Sequence, residues 1–288
     1  MTTLNETYTL SNGVEIPKLG LGTWMIEDND VAEAVRKAVD LGYRHIDTAQ
    51  AYQNERGVGE GVRSASVPRD QLFVTTKLDA GIKDYDGAKA AIDASLETMG
   101  LDYIDLLIIH SPQPWENFAG EDRFFEGNLA AWKAMEEAYE AGKLRAIGVS
   151  NFEKQDLENL LENAKVKPML DQILAHVSNT PFELIDFIQG NDMLAEAYSP
   201  IGHGEVLDNE EIKGIAGKYG VSVPQLCIRY LLQLGLLPLP KTGNPDHMKS
   251  NADVDFTISD EDMEALRNAT PIADYGDASV FPVFGGKM

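Results

Sequence analysis

The chain has 288 residues, 43% hydrophobic and 25% charged, an ordinary globular balance whose core needs no disulfide or metal staple. A formal net charge of -23 argues against nucleic acid and anionic lipid as partners. The single cysteine, Cys227, cannot form an internal disulfide; with no signal-like N-terminus and no apolar run long enough to span a bilayer, it points to a cytoplasmic protein.

Asn12-Gly13 lies between apolar residues and predicts a hairpin ahead of everything else. A repeated unit follows: a short apolar run, a polar loop, then a segment of helical period. The runs fall at 19–23, 45–48, 73–77, 104–110, 147–150, 170–173, 194–198 and 236–239. Apolar stripes between them include Val31, Ala34, Val35 and Ala38, then Leu157, Leu160, Leu161 and Ala164, then Ile212, Ile215, Ala216 and Tyr219. Helices are predicted to stop at Gly42, Gly100, Gly142 and Gly220. Eight such units predict one α/β domain over the whole chain, a (β/α)8 TIM barrel with an N-terminal hairpin. An open dinucleotide-binding sheet is disfavoured, because Gly20-Leu-Gly22-Thr-Trp24 lacks a third glycine and does not run straight into a helix. A last helix at 259–269 precedes a tail from Asp274, whose Tyr275, Phe281 and Phe284 predict packing over the C-terminal face.

In such a barrel, chemistry sits where the strands end. Strand two ends in Asp47-Thr48 with Tyr52 just beyond, strand three in Lys77, and strand four in His110. Taken singly, each residue reads as solvated, packed or hydrogen-bonded. Together on one rim they supply a reaction. A carbonyl that accepts hydride develops negative charge on oxygen and needs an acid. Tyrosine, with a pKa of about 10, is a poor one unless an ammonium stabilises its phenolate. That ammonium needs a carboxylate partner in a half-buried site. Tyr52, Lys77 and Asp47 fill these roles, and His110 can bind the carbonyl oxygen. His45 reads as a lower-layer residue held by a hydrogen bond.

At this point the chain resembles the aldo-keto reductases, in particular members of the bacterial diketogluconate reductase type. The resemblance is carried by Gly42-Tyr-Arg-His-Ile-Asp47-Thr-Ala-Gln-Ala-Tyr52, by Leu101-Asp-Tyr-Ile-Asp-Leu-Leu-Ile-Ile-His110, by Gly148-Val-Ser150-Asn151-Phe and by Ala197-Tyr198-Ser-Pro-Ile-Gly202. It implies an NADPH-dependent reductase of small-molecule carbonyl compounds that works as a monomer. Ser150, Asn151 and Gln172 would hold the nicotinamide carboxamide, and Tyr198 would stack on its ring. Gly22, Thr23, Asp47, Ser199, Pro200 and Gly202 would line the rest of the cofactor. Trp24, Trp115 and His110 would contact substrate, and no metal is implied.

Departures from the family pattern are informative. In Lys241-Thr242-Gly-Asn-Pro-Asp-His247-Met-Lys-Ser250-Asn251, the usual arginine is His247 and the glutamate before Asn251 is Ser250. Lys241, Thr242, His247 and Asn251 would still hold the adenosine end. A neutral histidine grips a 2′-phosphate less well than arginine, so NADPH preference is expected to be relaxed, with NADH also used. Leu78-Asp79 stands where a tryptophan often follows the lysine, so either the pocket is wider or more polar there or Asp79 is simply exposed at the surface. The loop 111–127, with Trp115, Phe118, Phe124 and Phe125, is a candidate lid, the alternative being a packed excursion.

Two other readings compete. A metal-dependent barrel hydrolase needs converging histidines, and this chain has five histidines with no His-x-His pair. A non-catalytic, cofactor-sensing subunit of the same fold has no need of the proton donor.

Overall fold

The computed structural model describes residues 2–118 and 120–286. Strands β1 (Thr7–Thr9) and β2 (Glu15–Pro17) pair antiparallel, with Gly13 at φ +86° in the turn. Hydrogen bonds from Tyr8 to Leu236 O and from Asn12 to Arg145 O seat this hairpin at the N-terminal end of the sheet that follows.

That sheet has eight parallel strands in chain order: β3 (Gly20–Gly22), β4 (His45–Asp47), β5 (Phe73–Leu78), β6 (Ile104–Ile109), β7 (Leu144–Ser150), β8 (Leu170–Leu174), β9 (Leu194–Tyr198) and β10 (Leu237–Leu239). A parallel bridge between Gly22 and Lys241 closes the ring, and Gly22 N donates to Pro240 O at 3.1 Å. A side chain at Gly22 would crowd Leu239 O, so glycine permits this seam. The predicted barrel is therefore present, with strand ends shifted by one to three residues.

The outer layer is α1 (Asp28–Asp40), α2 (Glu55–Arg63), α3 (Tyr85–Met99), α4 (Phe125–Glu140), α5 (Lys154–Asn163), α6 (Phe182–Gly190), α7 (Glu210–Tyr219), α8 (Val223–Gln233), α9 (Pro245–Ala252) and α10 (Asp260–Arg267). Periodicity and caps explain several of them. The α1 stripe of Val31, Ala34, Val35 and Ala38 is buried. Asp84 caps α3, which ends on left-handed Gly100; Asn209 caps α7, which ends on left-handed Gly220. Among the described residues, no helix is long and apolar enough to cross a membrane.

Helix α2 is absent from the sequence-based elements, and its glycines show why. Gly57, Gly59 and Gly61 alternate within nine residues, and each disfavours a helix on propensity. Packing demands them. A Cβ would meet Asp28 O at 2.1 Å from Gly57, Met99 O at 2.1 Å from Gly59, and the Val35 side chain at 2.7 Å from Gly61. The helix lies against the backbone of its neighbours, and tertiary contact overrides propensity. Gly59→Ala should therefore destabilise the fold by about 1–3 kcal/mol, although Ala gains up to about 1 kcal/mol in helix propensity. Urea unfolding checks this, and an unchanged or raised midpoint would contradict it.

Candidate active site

The register of the first three barrel strands builds the site. Asp47 closes β4 level with Gly22 on β3 and Thr75 on β5. Lys77 lies two residues past Thr75 and so points to the same face of the sheet. Its Nζ donates to Asp47 Oδ1 at 2.5 Å and to Thr48 O at 2.9 Å, and its side chain is fully buried. His110 follows β6 directly, and its N–H extends the ladder to Leu78 O.

Tyr52 sits in a short 3-10 turn, Gln50–Tyr52, between β4 and α2. Two neighbours fix that turn. Gln50 donates to Ala91 O and Ser95 Oγ and accepts from Asp79 N. Asn54 accepts from Thr48 Oγ1 at 2.6 Å and donates to Thr23 O and Ile26 O. The Lys77 ammonium lies 4.9 Å from the centre of the Tyr52 ring, and the His110 ring packs edge-on to it at 5.7 Å. The four predicted residues are thus brought together at one end of a cavity of about 500 Å³, Lys77 lying behind the other three.

Burial decides most of the electrostatics, raising Asp47 against the pull of Lys77, and only at Lys77 do charge partners prevail. Desolvation pulls Lys77 down, but Asp47 and then Tyr52 outweigh it, and the ammonium is held above its ordinary range. Burial also raises Tyr52, with Lys77 opposing that rise. Lys77 acts on the phenol in the direction expected from the sequence, yet the net shift is upward. The reason is that a phenolate there is shielded from water before any substrate charge exists. Burial, then Lys77 and Lys83, push His110 well below its usual value, so the ring is neutral.

Of the remaining predicted residues, Gly22, Trp24, Trp115, Ser150, Asn151, Gln172, Tyr198, Ser199, Pro200 and Lys241 line the cavity. Thr23 does not: it is buried, and its hydroxyl donates to Asp47 O. Gly202 sits against the His176 ring behind the wall, at φ +50°. Thr242, His247 and Asn251 lie beyond the cavity, Thr242 and Asn251 buried and His247 exposed on α9. Thr242 Oγ1 accepts from Asn244 N, just ahead of that helix.

The polar cluster at the strand ends is already bonded within itself. Asn151 donates to His110 O and accepts from Tyr198 OH at 2.7 Å. Ser150 Oγ donates to Gln172 O. Gln172 Nε2 donates to Asp47 Oδ2 at 3.0 Å and Glu196 Oε2 at 2.8 Å. With its nitrogen so placed, Gln172 Oε1 is an acceptor of fixed orientation suited to an amide N–H.

Two alternatives left open by the sequence resolve on the less reactive side. Asp79 does not line the cavity, because its carboxylate turns back to accept from Gly81 N. The segment 111–127 is a packed excursion and not a free flap. Gln113 bonds Gly120 O and Asp122 O, Arg123 pairs with buried Asp156, and Lys83 holds Ser111 O. Only Trp115 of its aromatics reaches the cavity. Residue 119 and the last two residues of the tail lie outside the described residues.

Several wall residues have no counterpart in the sequence-based set, namely Met25, Ala51, Ile201, His203, Pro282 and Val283, while Phe281 and Phe284 join them from the tail predicted to pack over this face. Phe281 packs on Trp24 at 4.9 Å, and His203 is wedged between Trp24 and Phe284. The aromatic tail signalled packing over the face, but its target is set only by the closed barrel.

The family profile described as "Aldo/keto reductase family" matches residues 18–270. The chain belongs to the aldo/keto reductase family. It is 42% identical over 267 residues to a glyoxal reductase of Bacillus subtilis, covering 92% of this chain and 93% of that one. It is 41% identical over 263 residues to a 9,11-endoperoxide prostaglandin H2 reductase of Trypanosoma cruzi, covering 90% and 89%. Among solved structures, a Bombyx mori aldo-keto reductase in complex with NADP superposes with a TM-score of 0.85 at 34% identity, covering 95% of each chain. An aldo-keto reductase from a Medee basin deep-sea metagenome library gives 0.85 at 39% identity, over 91% of this chain and 94% of that one. This aldo/keto reductase is accordingly an oxidoreductase.

Asp47→Asn leaves the Lys77 ammonium buried beside a neutral amide and should cost about 3–5 kcal/mol at neutral pH. Adding Lys77→Met removes the orphaned charge and should recover most of that loss. Urea unfolding of the two variants checks the pair, and equal stability of Asp47→Asn and the parent would contradict it.

Proposed function

We propose that the protein reduces an uncharged aldehyde or ketone to an alcohol, with NADPH as the hydride source and Tyr52 as the proton donor. The observation that carries this is the meeting of Tyr52, the Lys77–Asp47 pair and neutral His110 at one end of a single cavity. The reading includes action as a monomer in the cytoplasm, which the family resemblance and the single cysteine support.

The bound nicotinamide supplies hydride to the carbonyl carbon. Each protein group then has one task. The His110 N–H orients the carbonyl oxygen without bringing a second cation near Lys77. As charge gathers on that oxygen, Tyr52 delivers its proton there. Lys77 stabilises the phenolate left behind, and Asp47 keeps Lys77 protonated throughout. A phenol whose pKa is high at rest holds its proton until the substrate's oxygen becomes the stronger base.

The chain fits the cofactor in three places. Gln172 Oε1 is oriented to accept from the carboxamide, with Ser150 and Asn151 bracing it. Tyr198, tied to Asn151, offers a ring face on the cavity wall. Lys241 makes no ion pair among the described residues, and with Thr242, His247 and Asn251 it suits a 2′-phosphate, where His247 replaces a fixed charge with a weaker one. NADP in the Bombyx mori relative supports the nicotinamide reading.

The substrate end is apolar. Trp24 packs near Tyr52 and Trp115 against His110, Met25, Ala51 and Phe281 line the same cavity, and among the described residues its one Lys or Arg is Lys241. A carboxylate-bearing substrate would meet no counter-charge there. NADPH oxidation with a panel of carbonyls should give kcat/KM at least about tenfold higher for neutral aryl or alkyl aldehydes than for keto acids of similar size. The same assay with NADH should show NADPH preferred by less than about a hundredfold, a gap that His247→Arg widens. No turnover of any carbonyl would overturn the reading in favour of a cofactor-sensing protein.

A further inference from the structure

Glu196 stands inside the barrel on β9, in register with Gln172 on β8 and Leu237 on β10. It is fully buried, and none of the proposed chemistry uses it. Its Oε2 accepts from Gln172 Nε2 at 2.8 Å, the same nitrogen that donates to Asp47 Oδ2 at 3.0 Å. Its Oε1 has no hydrogen-bond partner and lies 3.8 Å from His45 Nε2. That nitrogen is already engaged with Thr75 Oγ1 at 2.9 Å. Two carboxyl groups therefore share one amide nitrogen at the core of the barrel.

The groups facing Glu196 can be taken element by element. Strand β8 presents Gln172, while Asp171, one residue earlier, points to the opposite face of the sheet. Strand β10 presents apolar Leu237. Across the barrel stand His45 and Asp47 from β4, Lys77 from β5, and Tyr52 beyond them. One cation faces two carboxyls, and Lys77 is bonded to Asp47. His45 cannot help: burial, then Lys77, hold it down at about 3, so it is neutral. Burial, then Asp47, push Glu196 up to about 8. At neutral pH the barrel axis thus holds one ion pair and one protonated acid.

We propose that Glu196 is a positioning residue for the reaction: its carboxyl holds the Gln172 amide in one orientation, and its proton keeps a second negative charge from arising behind Tyr52. The inference rests on the carbonyl-reduction reading. When Glu196 ionises, its charge raises Tyr52 further and opposes proton delivery. Reduction should therefore slow as pH rises through the ionisation of this buried acid. Loss of the carboxyl would leave the Gln172 amide held by Asp47 alone, loosening its orientation, and should weaken cofactor binding.

Glu196→Gln and Glu196→Ala separate the two roles. Glu196→Gln keeps an acceptor for Gln172 but no charge. Its kcat should hold on the alkaline side, so that its ratio to the parent rises at least about threefold between pH 6 and pH 9. Cofactor Kd, read by quenching of protein fluorescence with NADPH, should be near the parent value in Glu196→Gln and about tenfold weaker in Glu196→Ala. Thermal unfolding without cofactor gives a readout independent of turnover. An acid whose folded pKa is raised stabilises fully below its unfolded value, and that contribution is lost as pH rises toward the folded value. The Tm of Glu196→Gln relative to the parent should therefore climb from about pH 4.5 to about pH 8 and then level off. Superimposable pH–kcat profiles, a Tm difference that does not change with pH, or an unchanged Kd in Glu196→Ala would each overturn the proposal. Absence of any turnover in the parent, with the pH-dependent Tm gap present, would overturn the reduction reading and leave the buried proton standing.

Discussion

A buried ammonium must be matched by a carboxylate, and the Lys77–Asp47 pair is the constraint to which the rest of this molecule conforms. Neither side chain touches bulk water to any extent, so each exists in charged form only because of the other. The pair forms because β4 and β5 are parallel neighbours in a register that sets Asp47 level with Thr75, two residues short of Lys77. Tyr52 hangs over it on a turn that Gln50 and Asn54 bolt to α3 and to the loops after β3 and β5. His110 is neutral partly because that ammonium lies near it. One ion pair therefore organises both the proposed acid and the residue proposed to orient its target.

Much of this was legible in the sequence, for physical reasons. Eight β-type runs alternating with helical stripes have few solutions, and a closed parallel barrel is one. Chemistry gathers at strand ends because backbone register, not loop folding, brings those residues together. That is why Asp47, Lys77 and His110, far apart in the chain, could be set on one rim. What escaped reading depends on approach between distant segments. Helix α2 carries three glycines that propensity alone reads as a break, and only the backbones of Asp28 and Met99 explain them. His203 and Phe281 become wall residues because loops fold over the barrel end, and no local pattern encodes where a loop lands. The shift of Tyr52 ran against expectation because a sequence shows a charged neighbour but not the loss of water around a phenol.

Net charge poses a second problem for a protein read as binding an anionic cofactor. The answer is local. Many of the basic side chains are spent on surface pairs such as Lys143–Asp93 and Lys213–Glu210, or on the buried Arg69–Asp105 and Arg123–Asp156 contacts. Lys241 is left facing the cavity. The cavity thus offers one cation and a set of oriented dipoles inside a strongly acidic surface. Such a surface slows the approach of free anions, and the proposed cofactor would offset this through Lys241.

The proton donor is the point on which the chemistry turns, and single-turnover hydride transfer from pre-bound NADPH in Tyr52→Phe measures it directly. Removing one hydroxyl should slow that step by a factor of about 10²–10⁴, while the fluorescence-determined Kd for NADPH is unchanged. A transfer rate within a factor of about two of the parent would mean that another group supplies the proton, and that the Lys77–Asp47 pair serves the fold and not the reaction.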